Sequence, residues 1–326
     1  IVAATQEFFS SSQLSQFMDQ TNPLAEVDNL RRLTVMGVGG ISRERASFSI
    51  RDINASQYGR IDPVRSPEGP NIGLVTYMAM YSRVNEYGFL ESPYRRVVKE
   101  EKGDTVKMQV TNEVEYLAAD DEQYHRITHA EVPIDEKGYI SSERVPVRYK
   151  GEFLEGDASS VEYIDLVPRQ IVGGPASLIP FLAHDEANRA LMGTHMQCQA
   201  VPLVRPNAPI VGTGMEGAIS SSMGRVIAAP TEGTVIYADA SHVLFEDKNG
   251  ERTNYVVEKY KRTAQSTSYN QRVLVATGDK VKRGTVLIDG PSSEDGELAL
   301  GSNMVIAYMS FDGLGYEDAI VVSDRL

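Results

Sequence analysis

The fold of this chain is decided by RVIAAPTEGTVIYA (225–238), HVLFEDKNGERTNYVV (242–257) and VLVATGDKVKRGTVLI (273–288). Runs of about five to seven residues rich in valine, isoleucine and threonine have the length and composition of β-strands. The turn-forming sequences DKNG (247–250) and TGDK (277–280) separate these runs. Residues 212–326 are therefore predicted to form a β-barrel or a β-sandwich.

Strand patterns also occur between residues 95 and 170. They are RRVVK (95–99), VKMQVT (106–111), RVPVRYK (144–150) and VEYIDLV (161–167). Acidic turns separate these four runs, and each run is rich in valine or alternates polar with apolar residues. This part of the chain is predicted to be a small β-rich lobe.

The first 36 residues carry helical patterns. The apolar residues of IVAATQEFF (1–9) recur at helical spacing, and the serines at 10–12 offer caps for a second short helical segment through Phe17 and Met18.

A further helix is predicted to begin at Asn22-Pro23. Asn22 is the N-cap, Pro23 takes the first helical position, Glu26 lies in the first turn, and Arg31 and Arg32 lie in the last. The glycines at 37, 39 and 40 end this helix in a flexible loop.

Three later stretches have distinct local patterns. SRERASFSIRD (42–52) alternates at period two after Ala46, which predicts a short strand. DPVRSPEGPNIGL (62–74) concentrates proline and glycine between apolar flanks, which indicates a rigid, shaped loop rather than a linker. SLIPFLAHDEANRALMGTHMQCQ (177–199) predicts a second helical region over 178–199.

The composition fits a globular chain with a mixed α+β, β-rich fold. Its 326 residues are 41% hydrophobic and 24% charged, and at ~150 residues a domain this length suggests about two domains. No stretch approaches the ~18 to 20 apolar residues of a membrane helix. A single cysteine, Cys198, excludes an internal disulfide and favours the cytoplasm. Because the chain begins with Ile1 and ends directly after an apolar run, we expect an internal fragment of a larger protein.

The charge is unevenly distributed. The net charge is -13, yet residues 1–100 hold as many basic as acidic side chains, so the excess acid lies in 101–326. Between positions 28 and 65 the basic residues are all arginine, at 31, 32, 43, 45, 51, 60 and 65. Arginine presents a planar fork suited to phosphate or carboxylate. These residues indicate either a phosphate-facing surface or a set of surface salt bridges.

Several kinds of chemistry lack support in the sequence. Five histidines and one cysteine show no paired zinc-ligand spacing. His125 and His129 would share a helix face, but a solvated pair is the stronger interpretation of two histidines in an acidic segment. Neither a GxxxxGK[ST] phosphate loop nor a GxSxG nucleophile motif is present.

Three places concentrate polar residues. Gln13, Gln16 and Gln20 recur at spacings of three and four, which predicts one helix face able to donate to phosphate or base edges. Arg189, in HDEANRAL (184–191), is predicted to be held by apolar neighbours in a direction from which it can clamp a triphosphate.

The third place is FDGLGYEDAIVVS (311–323). Glu317 and Asp318 precede AIVVS, which is predicted to be a buried strand, and carboxylates at the mouth of a strand can approach a metal-bound phosphate. Each of the three places also has an ordinary alternative. The glutamines could form a polar helix face, Arg189 could form an intrahelical ion pair, and Glu317 and Asp318 could lie in a solvated turn.

Read together, these stretches resemble the β subunit of bacterial DNA-dependent RNA polymerase over essentially the whole chain. The resemblance is carried by FFSSSQLSQFMDQTNPLAEV, RRLTVMGVGGISRERASF, SPEGPNIGL, NEYGFLESPYR, ASLIPFLAHDEANRALMGTHMQ, QAVPLVRP, GDKVKRGTVLIDGPS, GELALGSNM and YEDAIVVSDRL. It implies a fork and rifamycin-cluster region at 1–95, a β-rich external lobe at 96–170, an active-site helical region at 171–211, and an incomplete hybrid-binding barrel, part of a double-psi barrel region, at 212–326.

The resemblance implies template-directed RNA synthesis from ribonucleoside triphosphates. The RNA 3′ hydroxyl attacks and pyrophosphate leaves, with positioning and charge neutralisation supplying most of the catalysis. It also implies that the main catalytic Mg²⁺ is held by the β′ subunit, so this chain alone is expected to be inactive. The implied partners are the β′, α and ω subunits, sigma factor, template DNA and nascent RNA, and the implied location is the bacterial cytosol without membrane attachment.

The resemblance also assigns site residues. Arg189 matches the arginine that reaches the incoming triphosphate, and Glu68 lies in the matching turn beside the active site. Glu317 and Asp318 match an acidic pair near a second magnesium. The matching RNA-path residues are Gln13, Gln16, Arg43, Asn71 and Gln199. The matching inhibitor-pocket residues are Gln16, Phe17, Asp19, Asn29, Arg32, Thr34, Met36 and Arg43.

Some positions depart from the family pattern. The family commonly has His, Ser and Leu where this chain has Asn29, Thr34 and Met36, so reduced rifamycin sensitivity is expected. The active-site helix commonly reads NMQRQ, and here it reads HMQCQ (195–199). Two other classes of function stay open from the residues: a stand-alone nucleic-acid-binding module, and an acid/base hydrolase that uses paired carboxylates.

Overall fold

A computed structural model of the chain describes residues 1–102 and 105–326. Strands outnumber helices over this part of the chain, which confirms the mixed α+β, β-rich class. None of the described helices is long and apolar enough to cross a membrane. The helices are α1 (Val2–Ser11), α2 (Pro23–Leu30), α3 (Phe48–Arg51), α4 (Ala119–Glu122), α5 (Gly174–Ser177), α6 (Ala187–Gln199) and α7 (Glu216–Ser222).

The first nine strands belong to the N-terminal half of the chain. They are β1 (Arg32–Thr34), β2 (Val75–Tyr77), β3 (Arg83–Val84), β4 (Leu90–Lys102), β5 (Thr105–Ala118), β6 (Ile127–Thr128), β7 (Arg144–Tyr149), β8 (Glu152–Asp157) and β9 (Tyr163–Asp165).

The remaining strands lie after α7 and are mostly short. They are β10 (Ile227–Ala228), β11 (Gly233–Ala238), β12 (His242–Asp247), β13 (Arg252–Val256), β14 (Lys261–Arg262), β15 (Ser268–Tyr269), β16 (Arg272–Val273), β17 (Lys280–Val281), β18 (Val286–Asp289), β19 (Ser293–Glu294) and β20 (Glu297–Leu298).

Helix α2 begins as its sequence predicts. The Asn22 side chain accepts a hydrogen bond from the Ala25 backbone N–H, Pro23 opens the helix, and Glu26 lies in the first turn. The predicted end is wrong, because the helix stops at Leu30. Arg31 is the C-cap residue and Arg32 already belongs to β1, which pairs with β2.

A seven-stranded sheet forms the β-rich lobe. Its order is β3-β4-β9-β6-β7-β8, with β5 on the other side of β4, and the pair β6–β9 is parallel. All four predicted strand runs fall on strands of this sheet: β4, β5, β7 and β9. One face buries an apolar cluster made of Val97, Met108, Val132, Val145, Val147, Val161 and Ile164.

Buried ionic groups fasten this lobe to the preceding segment. Arg60 lies 2.5 Å from Glu122, and its Nη2 donates to the Leu117 carbonyl at 2.7 Å. Arg148 donates to the same Glu122 carboxylate, at 2.9 Å, and stacks over the Tyr58 ring at 3.7 Å. The two guanidinium groups can share the Glu122 carboxylate because each has a further partner, a backbone carbonyl for Arg60 and an aromatic ring for Arg148.

The C-terminal strands form two small sheets rather than a closed barrel. One has the order β13-β12-β11-β17 and the other β10-β18-β16, and no barrel closes among the described strands. Both sheets contribute to a single core, and of the two predicted alternatives the closed barrel is not formed by the described strands. The core consists of Ala229, Val235, Val243, Phe245, Val257, Val281, Leu287 and Ile288.

Three local predictions are wrong. Phe48–Arg51 forms one helical turn, α3, although its sequence alternates at period two. The helical region predicted for 178–199 becomes α6 only at Ala187, after a short 3-10 turn at Leu182–His184. Ala319–Ser323 is exposed and is not a strand, because no described strand supplies the backbone partners that a strand needs.

Gly233 generates a test of the C-terminal core. A Cβ at this position would lie 2.6 and 2.7 Å from ring atoms of Phe245 and would also collide with the Glu246 carbonyl oxygen. We expect Gly233→Ala to lower the free energy of unfolding by about 1–3 kcal/mol through overpacking. Urea unfolding of the chain measures this change.

Gly217→Ala is the matched control, because a Cβ there meets nothing within 4 Å. It lies in α7, so alanine should leave stability unchanged or raise it by up to about 1 kcal/mol. Equal effects of the two substitutions would contradict the proposed packing.

Candidate functional site

Helix α6 presents two different faces. Ala190, Thr194 and Cys198 are buried, whereas Arg189 and Gln199 are exposed. The exposed face therefore carries one cation and an amide on a helix whose other side is fixed in the protein. A face of this kind can bind an anionic ligand without a change in the helix conformation.

The groups on that face are partly oriented by their neighbours. Gln199 Nε2 lies 3.1 Å from His195 Nε2, one helical turn away. Among the described residues, the one hydrogen-bond contact of the Arg189 side chain is between its Nη1 and the Met192 sulfur, at 3.5 Å. The guanidinium thus keeps most of its donors available on the exposed surface.

Helix α2 holds the C-terminal end of α6. The Asn22 side chain accepts from Ala25 in its own helix, and its Nδ2 donates to the carbonyl oxygens of Gln197 (2.9 Å) and Ala200 (2.9 Å). One amide therefore caps the start of α2 and satisfies free carbonyls at the end of α6. The two helix ends are fixed against each other.

A buried ion pair joins α2 to the proline- and glycine-rich loop. Arg65 Nη2 donates to Asp28 Oδ2 at 2.6 Å, and both side chains are 7% exposed. Arg65 Nη1 also donates to Thr194 Oγ1 at 3.1 Å on α6. Burial raises the pKa of Asp28, against the lowering effect of the guanidinium. The guanidinium thus connects three elements that are distant in sequence.

Cys198 completes this cluster. Its sulfur lies 3.4 Å from Arg65 Nη2 and 3.6 Å from Asp28 Oδ2. Burial raises the pKa of the Cys198 thiol to about 12, and the neighbouring Asp28 carboxylate adds to the rise. The thiol is therefore protonated at neutral pH and serves as a small packing group.

The proline- and glycine-rich loop, which was predicted to be rigid, is closed by hydrogen bonds. Arg51 Nη1 donates to the carbonyl oxygens of Pro70 (2.6 Å) and Ile72 (3.0 Å), and the Gly73 N–H donates to Ser66 Oγ at 3.0 Å. Gly73 has φ +71, and a Cβ there would collide with the Arg51 backbone. Only a glycine fits this closure of the loop.

Glu68 and Asn71 occupy that loop differently. Glu68 is exposed at the tip. Asn71 is half-buried, and its Oδ1 is a buried acceptor for which the described residues provide no hydrogen-bond partner. An unpaired buried acceptor is costly, so this amide is a candidate for contact with a ligand that donates a hydrogen bond.

The polar segment before α2 is not helical. Helix α1 ends at Ser11, Gln13 lies in a turn, and Gln16 and Gln20 lie in irregular chain. The predicted common helix face of these three glutamines is therefore wrong. Gln13 and Gln16 are exposed, whereas Gln20 is held by contacts with residues 264–267.

The predicted inhibitor-pocket residues lie along one piece of chain. Phe17 is 96% exposed, Asp19 accepts from the Thr21 hydroxyl at 2.8 Å, and Thr34 Oγ1 accepts from the Met36 N–H at 3.1 Å. The rest of the set follows the same course: Gln16 before them, half-buried Asn29 on α2, and exposed Arg32 and Arg43. The cavities of about 180 and 50 Å³ lie elsewhere, on residues 54–151 and 202–292.

The arginine-rich stretch is divided by the structure. Four of its members use their guanidiniums within the chain, where they bind backbone carbonyls or buried carboxylates: Arg31, Arg51, Arg60 and Arg65. Arg32, Arg43 and Arg45 are exposed. Neither of the two predicted alternatives, surface salt bridges or a phosphate-facing surface, applies to all seven arginines. Of the seven, only Arg32, Arg43 and Arg45 are available to a ligand.

Glu317 and Asp318 lie in an exposed segment. Glu317 has φ +56 and neither residue is buried. Over the part of the chain that the structure describes, no group of three or more His, Cys, Asp or Glu side chains is placed to hold a metal ion. Two carboxylates do not provide a Mg²⁺ site by themselves.

His125 and His129 do not share a helix face. The chain after α4 passes through a turn at Gln123 and Tyr124 before β6, and each imidazole faces a carboxylate of a neighbouring part of the lobe. His125 Nδ1 contacts Glu162, and His129 Nδ1 lies 3.9 Å from Asp165. Both imidazoles are more than a third exposed, which agrees with a solvated pair.

Three family models match successive parts of the chain. The model for RNA polymerase Rpb2, domain 3, matches residues 16–84. The model for the RNA polymerase beta subunit external 1 domain matches 94–166, and that for RNA polymerase Rpb2, domain 6, matches 228–326. All three describe domains of the same polymerase subunit.

Curated relatives match the chain from end to end. The DNA-directed RNA polymerase subunit beta of Acetivibrio thermocellus is 51% identical over 326 residues, which is all of this chain and 26% of the relative. The chain belongs to the RNA polymerase β-subunit family. The subunits of Syntrophomonas wolfei and Synechococcus elongatus are each 50% identical over the whole chain, which covers 29% of either relative. The chain thus spans between a quarter and a third of the length of these β subunits.

Arg65 supplies the cation of the cluster around Cys198. Its guanidinium occupies the space beside the Cys198 sulfur. A second guanidinium would have to share the single Asp28 carboxylate. The cation of this cluster is therefore supplied from the loop and not from α6.

Some site residues escaped the sequence analysis. Asp28 and Arg65 are 37 positions apart, and nothing in their local sequence shows that they pair. Gln265 was missed for the same reason, since its partner Gln20 is 245 positions away. The one sequence signal for the ion pair was the position of Arg65, a lone arginine among the prolines of a loop predicted to be rigid.

The ion pair generates a stability prediction. We expect Asp28→Ala to lower the free energy of unfolding by about 3–5 kcal/mol, because it leaves the Arg65 charge buried without a partner. The double variant Asp28→Ala/Arg65→Met should recover most of that loss. Chemical unfolding of the chain measures both.

Arg45→Ala is the control for the loss of a charged side chain, because Arg45 is exposed. It should change stability by no more than about 0.5 kcal/mol. A small effect of Asp28→Ala, comparable with this control, would show that the pair is not structurally important.

A second prediction concerns the thiol. With a pKa of about 12, Cys198 should hold on the order of 10³-fold less thiolate at pH 8 than an ordinary cysteine. Labelling by an aromatic disulfide reagent should therefore be slow in the folded chain and fast in concentrated urea. Equal labelling rates in the two conditions would place the thiol at the surface.

Proposed function

We propose that this chain supplies part of the RNA path and nucleotide site of a DNA-directed RNA polymerase, which extends RNA on a DNA template from ribonucleoside triphosphates. The observation that carries the proposal is the unbroken match, at about 50% identity, between all 326 residues and β subunits of that enzyme. The structure supports it with an anchored helix whose exposed face carries a lightly engaged arginine.

In this proposal the residues of the chain bind and position the nucleotide and the RNA. Arg189 meets the triphosphate, and Gln199 lies farther along the same helix toward the RNA. Asn71 offers its unpaired carbonyl oxygen to a donor of the RNA backbone, such as a ribose hydroxyl, while Glu68 extends beside it from the same rigid loop. Because α6 and the loop are joined through Arg65, these groups keep a fixed relation to one another.

The remaining proposed roles follow from exposure. Gln13, Gln16 and Arg43 are accessible and contact the nascent RNA, and the exposed pair Glu317–Asp318 faces the nucleotide from the C-terminal segment. The Mg²⁺ of the reaction is held by the β′ subunit. This chain also assembles with the α and ω subunits and sigma factor, and the complex binds template DNA in the bacterial cytosol. The isolated chain is inactive.

The two other classes of function are less well supported. A stand-alone nucleic-acid-binding module would use the arginine-rich stretch, but four of its seven arginines already bind carbonyl or carboxylate groups of the chain itself. A hydrolase would need Glu317 and Asp318 in an enclosed site with distinct environments, and both are exposed.

A chimeric subunit tests the proposal. The matching stretch of the Acetivibrio thermocellus β subunit is replaced by this chain, and the hybrid is assembled with the other subunits of that enzyme. Extension of a primed RNA–DNA hybrid by one nucleotide is the expected result. A hybrid that assembles and binds the primed template but adds no nucleotide would contradict the proposal.

Arg189 provides the sharpest single-residue test. In the assembled enzyme, Arg189→Ala should raise the nucleotide concentration for half-maximal addition by ~10- to 150-fold, because a charge-assisted contact to phosphate is lost. Arg283→Ala, which removes an exposed arginine of the C-terminal sheets, should leave it unchanged. If the two variants need the same nucleotide concentration, Arg189 does not bind the triphosphate.

A further inference from the structure

The irregular segment Met18–Thr21 obtains its hydrogen bonds from a distant part of the chain. It lies outside any helix or strand, so its backbone donors and acceptors need partners elsewhere. Those partners belong to the turn that connects β14 and β15.

Two glutamines exchange hydrogen bonds across this contact. The Gln20 N–H donates to Gln265 Oε1 at 2.6 Å, and Gln265 Nε2 donates to the Met18 carbonyl at 3.2 Å. In return, Gln20 Oε1 accepts from the Ala264 N–H at 3.2 Å. Thr267 Oγ1 adds contacts to the carbonyl oxygens of Gln20 and Thr21, at 3.2 and 3.0 Å.

The turn that carries Gln265 is itself rigid. Strands β14 and β15 pair antiparallel, and the Thr263 N–H donates to the Thr267 carbonyl at 2.9 Å. Ser266 has φ +62, and Tyr269 at the base is 2% exposed. Gln265 thus extends from a tight turn whose base is anchored in the protein.

The segment is also fixed at its other end. Asn22 binds the end of α6, so residues 18–22 are held between the β14–β15 turn and α6. Gln16 and Phe17 immediately precede the held part and are exposed. Their position over the surface is therefore set by where Gln265 holds Met18.

We propose that Gln265 is a positioning residue of the RNA path: through Met18 and Gln20 it sets the course of the segment that presents Gln16. This inference rests on the proposed function of Gln16, and it adds a residue nearly 250 positions away that touches no RNA itself. Losing Gln265 removes the hydrogen bonds to the Gln20 N–H and the Met18 carbonyl, while the contacts of Ala264 and Thr267 and every proposed RNA contact stay chemically intact.

Hydrogen exchange in the assembled chimeric enzyme tests the contact itself. Gln265→Ala should speed amide exchange over residues 18–21 by roughly 5- to 50-fold, since two hydrogen bonds are lost. Gln265→Glu keeps the acceptor for the Gln20 N–H and should give a smaller increase. Ser266→Gly, in the same turn but not in contact with the segment, is the control and should give none. Unchanged exchange in Gln265→Ala would overturn the inference.

RNA retention tests the positioning role. With Gln265→Ala, release of short RNAs relative to full extension should rise several-fold, while the nucleotide concentration for half-maximal addition stays at the wild-type value. Faster exchange without a change in RNA release would overturn the role. If the wild-type chimera makes no RNA, the proposed function fails, whereas the exchange measurement still decides the contact.

Discussion

The Arg65–Asp28 ion pair is the interaction on which the candidate site depends. Removing two charges from water is expensive, and their attraction offsets that cost only when further hydrogen bonds satisfy them. Here the guanidinium donates to Asp28, Thr194 and Cys198, which lie on two helices. An apolar contact of the same area would tolerate sliding, whereas a forked donor between fixed acceptors defines one arrangement. The proposed nucleotide face of α6 and the loop that carries Glu68 inherit that arrangement.

Helix α2 is the element through which the separate parts are joined. Its N-cap residue binds α6, and its Asp28 binds the loop through Arg65. Glu26 lies 3.2 Å from Arg225, which in turn lies 2.9 Å from Glu258 in the C-terminal β-region. The buried Leu24 side chain adds an apolar contact with α7 and β20. Helix α2 and its N-cap residue thus connect the loop, α6 and the C-terminal β-region.

Much of the secondary structure was predictable because it is locally determined. The strands of the lobe and of the C-terminal β-region follow periodicity and turn composition, and the start of α2 follows from Asn22 and Pro23. The prediction failed where partners distant in sequence determine the local conformation. The glutamine-rich segment has helical spacing, yet its hydrogen bonds go to residues 264–267, which compete with helix formation. Residues 319–323 have the composition of a strand, but no strand in the described part of the chain pairs with them.

The position of Cys198 beside Arg65 also constrains how this subunit can change over time. An arginine at 198 would place two guanidiniums against the Asp28 carboxylate, so we expect it to be tolerated only when position 65 changes as well. The two positions are therefore expected to be epistatic, since the effect of a substitution at 198 depends on the residue at 65.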